Sequence, residues 1–116
     1  MNDSRRSKVF APTAGIYRVT HLPSGRSLLG ASGHAQGILN RIRWQLETRV
    51  SSTFPVDGHA LKAVQRDWNA DGAAAFRFEV LDELAPDSSG ETNRADLEEL
   101  LALWRERLAL SDDQSY

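Results

Sequence analysis

The apolar positions along this chain fall into short segments whose period changes from strand to helix and back. Gly15-Ile16-Tyr17-Arg18-Val19-Thr20 is rich in β-branched and aromatic residues and predicts a strand. His21-Leu22-Pro23-Ser24-Gly25 has turn chemistry, with Pro fixing φ and Gly25 taking a positive-φ position. Arg26 to Ala31 then reads as the returning strand of a β-hairpin. After a loop holding Gly33 and Gly37, the spacing of Ile38, Ile42 and Leu46, with Leu39 alongside, predicts a helix from about Gly37 to Arg49. The stretch Val50 to Pro55 breaks it. Leu61, Val64 and Trp68 predict a second helix from Gly58 to Ala70, stopped at Gly72 by a left-handed cap.

Phe76 to Leu81 alternates apolar and charged residues, as a half-buried strand does. Pro86 to Gly90 is a polar loop. Asn93, with Asp96 three residues on, opens a last helix whose buried stripe is Leu97, Leu100, Leu101, Trp104 and Leu108. The order is ββααβα. It predicts one α/β (α+β) domain over residues 14–110, a small three-stranded, mainly antiparallel sheet flanked by three helices. Residues 1–13 are expected as a flexible lead and 111–116 as a frayed tail. With 116 residues there is room for one core. Trp68 and Trp104, both in apolar stripes, are expected inside it.

Composition removes several chemistries. The chain has no cysteine, hence no disulfide, thiolate metal site or thiol nucleophile. No stretch reads as a signal peptide or a membrane span, so a cytoplasmic place away from membranes is expected. His21, His34 and His59 lack ligand spacing and are expected as solvated loop residues rather than zinc ligands. Ser24-Gly25 and Ser32-Gly33 form no nucleophile elbow, and Gly30-Ala31-Ser32-Gly33 is too short to cradle phosphate. A net charge of −2 argues against strong non-specific nucleic-acid binding. The distribution is uneven, however: residues 1–68 hold ten Lys/Arg against four Asp/Glu, and residues 69–116 four against twelve. The basic half can face a polyanion while the acidic half faces away. The alternative is an accident of polarity on a solvated surface.

Gly15-Ile16-Tyr17 heading the hairpin, and Leu28-Leu29-Gly30 on its second strand, resemble the two halves of the GIY-YIG nuclease signature. Val19-Thr20 and Pro23-Ser24-Gly25 between them fit that family's hairpin. Leu39 to Leu46 is similar to its first helix. Val64 to Asn69, Gly72 and Phe76 to Leu81 are similar to a stretch of many small members, and Leu97-Glu98-Glu99 with Trp104 to their final helix. The resemblance covers residues 14–108. It implies hydrolysis of nucleic-acid phosphodiester bonds, DNA ahead of RNA, with Mg²⁺ or Mn²⁺. A fixed guanidinium and a metal would then stabilise charge that develops on phosphate oxygens.

The catalytic set is incomplete. Tyr17 matches the first tyrosine, but Leu28 stands in place of the second and cannot hydrogen-bond. Ile38 and Ile42 fall where the family carries Arg and often His, and Leu101 where it carries the metal carboxylate. Arg41, one turn from Ile38, is the candidate displaced phosphate clamp, or else a solvated surface residue. Glu98 and Glu99 are the candidate metal ligands, or else ordinary glutamates near a helix N-terminus. Arg18, Arg26 and Arg43 are candidate nucleic-acid contacts. Trp44 is another, as a stacking platform or as a half-buried edge of the core. Three functions stay open: a metal-dependent endonuclease, a nucleic-acid-binding relative that does not cut, and a protein adaptor. Oligomeric state is not legible.

Overall fold

A computed structural model describes residues 13–49, 58–85 and 93–116. The expected lead up to residue 12, the break at Val50 to Pro55 and the loop at Pro86 to Gly90 lie outside the described residues. The elements are β1 (Ala14–His21), β2 (Ser27–Ser32), α1 (Ala35–Thr48), α2 (Gly58–Asp71), β3 (Phe76–Leu84) and α3 (Arg94–Leu108). Short 3₁₀ turns cover Ala73–Ala75 and Asp112–Gln114. The sheet is antiparallel throughout, in the order β2-β1-β3. The expected class and order therefore hold, and β1 is the centre of the sheet.

That position explains the burial of β1. Both edges are paired and both faces are covered, so Ile16 and Val19 are fully buried. The period of two sends Tyr17 and Val19 into one cluster with Leu28, Leu39, Ile42, Leu46, Val64 and Trp68, under α1 and α2. Ile16 goes the other way, into a second cluster with Ala14 and Leu97, against α3. On β3 the extra residue Leu81 forms a bulge, since Ile16 faces Asp82 while Tyr17 faces Val80. There the two backbones approach so closely that a Cβ on Gly15 would run into the Asp82 carbonyl oxygen. Only glycine fits.

Helix α1 begins at Ala35, two residues earlier than its apolar spacing suggests, and buries Ala35, Leu39, Ile42 and Leu46. Trp68 of α2 is 8 % exposed and packs at 5.5 Å from the Phe76 ring and 6.2 Å from Phe78. Gly72 follows α2 at φ +83, its N–H donating to the Trp68 carbonyl at 2.8 Å. Asn93 caps α3 as expected, its side-chain oxygen accepting from the N–H groups of Ala95 and Asp96. Trp104 packs against the second cluster, and its indole N–H donates to Asp82 at 3.0 Å.

Two expectations fail. His21 is not a solvated loop residue: it ends β1 at 5 % exposure. Its Nδ1 lies 2.7 Å from Ser24 Oγ, its Nε2 lies 2.7 Å from Asp71 Oδ2, and its ring packs on Phe76. The tail does not fray. Ser115 bridges Ser27 in parallel, and the Tyr116 N–H donates to the Ser27 carbonyl at 3.0 Å. The Tyr116 hydroxyl donates to Asp67, which also accepts from Arg26 at 2.8 Å, while the Arg26 guanidinium covers the Tyr116 ring at 4.7 Å. Both corrections have one cause. Each is tied to a carboxylate of α2, Asp71 for His21 and Asp67 for Tyr116, 50 and 49 residues away in sequence, where no local pattern can announce it.

Candidate nucleic-acid interface and the surroundings of Tyr17

Tyr17 is held by its place on the central strand. It pairs with Gly30 across β1 and β2, and its ring lies over that glycine: a Cβ there would strike the Tyr17 hydroxyl and ring edge. This is a physical reason for glycine at position 30. The residue is 5 % exposed. Burial pushes the phenol above its ordinary pKa, because a phenolate would lose its hydration. Around it stand the residues that replace the polar positions of the signature. Leu28 is buried two positions before Gly30 on the same face, Ile42 is fully buried, and Ile38 packs against the same cluster.

The last helix lies across the sheet from Tyr17. Glu98 lines a cleft of about 460 Å³ between α3 and the end of β2, with Ser32, Gly33, Arg94 and Leu101. Its Oε1 lies 3.6 Å from the Arg94 Nε. Glu99 is exposed and does not line the cleft. Tyr17 does not line it either, belonging to the cluster under α1 and α2. Glu98 is thus brought to the strand that carries Gly30, while Tyr17 packs in the cluster under α1 and α2. Among the described residues no group of three His, Cys, Asp or Glu side chains is arranged to hold a metal. One carboxylate beside a hydroxyl suits a Mg²⁺ that keeps most of its waters, and does not suit an all-protein cage.

The basic residues separate into two kinds. Arg18 donates from Nε to Ser27 Oγ at 2.9 Å, and Arg26 is tied to Asp67 and Tyr116, so both brace the hairpin. Arg43 pairs with Glu47 at 3.2 Å and lies over the Phe78 ring at 5.6 Å, and Arg49 donates to Asn69. Arg41 and Trp44 are exposed on the outer side of α1, and Lys62 and Arg66 on the outer side of α2. Sequence reasoning passed over Lys62 and Arg66. Their four-residue spacing away from the Leu61, Val64 and Trp68 stripe was the signal that could have found them.

Both helices cover the same face of the sheet, and that layer carries Arg41, Arg43, Lys62 and Arg66 against Glu47, Asp67 and Asp71. The α3 layer opposite carries Asp96, Glu98, Glu99 and Glu106 against Arg94, Arg105 and Arg107. The two layers therefore differ only by a small excess of basic side chains on one and of acidic side chains on the other. No described helix is long and apolar enough to cross a membrane.

No family model and no curated protein matches the chain. Solved structures do. The catalytic domain of the homing endonuclease I-TevI superposes with a TM-score of 0.62 at 20 % identity, covering 89 % of this chain and 95 % of that one. A point mutant of the same intron endonuclease domain gives 0.60 at 19 % identity, covering 90 % and 91 %. At such identity the likeness shows the fold, and it is the fold that the GIY-YIG resemblance implies.

Proposed function

We propose that this chain, built on the fold of a homing-endonuclease catalytic domain, is a nucleic-acid-directed domain with a degenerate hydrolytic centre. In this reading it grips the phosphate backbone and cuts poorly or not at all. The observation that carries the reading is the apolar niche of Tyr17. A phosphate beside Leu28, Ile38 and Ile42 would be desolvated with the Tyr17 hydroxyl as the one donor these four side chains offer and no cation among them, which is strongly unfavourable. A phenol whose burial raises its pKa is also a poorer source of the phenolate that would take a proton from water. Exposed Arg41, Lys62 and Arg66 on α1 and α2 support the binding half, since Arg and Lys supply the affinity for phosphates.

A second reading rests on Glu98. In the cleft at the end of β2 it would be the residue to hold a hydrated Mg²⁺ or Mn²⁺, with Arg94 and Ser32 beside it. Bound there, the ion would supply Lewis-acid stabilisation of phosphate charge. One experiment separates the two. Supercoiled plasmid and labelled oligonucleotides are incubated with the protein in Mg²⁺, in Mn²⁺ and in chelator, and binding is measured over a range of salt. The expected result is salt-dependent binding with no metal-dependent nicking. Nicking that disappears in Glu98→Gln would establish the second reading, and the absence of any binding would remove both.

A further inference from the structure

The outer side of α1 carries a tryptophan that covers no core. Ala35, Leu39, Ile42 and Leu46 fix the buried side of the helix. At 100° per residue Trp44 falls opposite them, and it is 56 % exposed. The other two tryptophans are engaged, Trp68 with Phe76 and Phe78, and Trp104 with Asp82. A large ring left in water forgoes the burial that fixes most such residues and leaves its π face open to an aromatic partner. The neighbours define the chemistry of that partner. Arg41 lies one turn before Trp44, Glu47 one turn after it is paired with Arg43, and Lys62 and Arg66 are exposed on the helix that covers the same side of the sheet.

We propose that Trp44 is a stacking platform for an unpaired nucleobase, with Arg41, Lys62 and Arg66 neutralising the adjoining backbone. The partner class is then single-stranded or locally unpaired nucleic acid. This inference rests on the nucleic-acid reading above and sharpens it. A base inside a duplex is stacked on both faces and cannot offer one to a ring standing on a convex helix. An unpaired base can, and because every base has a π face the contact tolerates any sequence. The exposed cations draw the strand in, and the ring selects its state.

The test compares a labelled oligothymidylate with a blunt duplex of equal length, by fluorescence anisotropy at several salt concentrations. Trp44→Ala should weaken oligothymidylate binding about tenfold, within the range that stacking supplies. It should leave duplex binding and the salt slope unchanged, and Trp44→Phe should retain part of the effect. The double variant Lys62→Ala, Arg66→Ala should lower the salt slope for both ligands. Far-UV circular dichroism checks that these exposed substitutions leave the fold intact. If Trp44→Ala weakens both ligands equally, or neither, the stacking role is wrong while nucleic-acid binding stands. If the native protein binds neither ligand, the binding reading itself fails and the inference falls with it.

Discussion

At the scale of single residues, the packing of Tyr17 on Gly30 decides most about the candidate centre. The glycine is what lets the ring lie flat on β2. Gly30→Ala should therefore overpack a filled niche and destabilise the protein by about 1–3 kcal/mol, read from urea midpoints at constant slope. Gly33 is the control. A Cβ there meets nothing within 4 Å, so Gly33→Ala should change stability by no more than about 0.5 kcal/mol. Equal effects of the two substitutions would mean that the ring does not rest where it is described. Tyr17, Arg41 and Glu98 were all readable as chemical residues, but the face of the sheet to which each belongs was not. Alternation along β1 assigns Tyr17 to one face of the sheet, and α3 packs on the other.

At the scale of elements, α3 is the helix with the least buried face: Leu97 is its one buried residue among those described. Its local stability thus leans on its ends and on Trp104. The Asn93 side chain satisfies two N–H groups of the first turn that have no partner within the helix. Asn93→Ala should cost about 1 kcal/mol and raise amide hydrogen exchange first in residues 94–98. A loss spread evenly over the domain would show that α3 does not open on its own. The start of this helix was visible in the sequence because a cap is a local device. The start of α1 was not, since His34 caps nothing with its side chain and the helix opens before the first large apolar residue.

At the scale of the whole molecule, the hairpin turn, the end of α2 and the C-terminus are joined by a half-buried polar network. Burial pushes the Asp67 carboxyl up. The hydrogen bonds from Tyr116 and Arg26 and the charges of Arg26 and His21 outweigh this, and its pKa is lowered. A carboxylate so placed contributes stability that is complete above the ordinary Asp value and fades as pH falls through the lowered one. Tyr116 behaves in the opposite sense. Burial first, and then its bond to Asp67, raise its pKa well above 10.0, and burial raises that of Tyr17 too. The folded state thus holds protons that the unfolded state releases, and stability must fall as pH rises beyond about 10. Thermal melts between pH 7 and 11 should show that fall. Tyr116→Phe should lower the melting temperature at pH 7 and flatten the alkaline limb, with Tyr17 accounting for what slope remains. An alkaline limb unchanged in Tyr116→Phe would rule out the docked tail in solution.

The sequence by itself determined the elements, their order and the fold class, because strand alternation, helical spacing, turn glycines and an N-cap are all short-range patterns. It also carried the resemblance to the GIY-YIG signature, with Leu28, Ile38, Ile42 and Leu101 standing where that family has polar residues. Only the tertiary structure decided which arginines brace the hairpin and which face water, that His21 and Tyr116 are tied to α2, and that Trp44 stands outside the core. Each of these depends on which face of the sheet a helix covers. A residue's own neighbours in sequence carry almost no information about that choice, which is made by burial summed over distant segments.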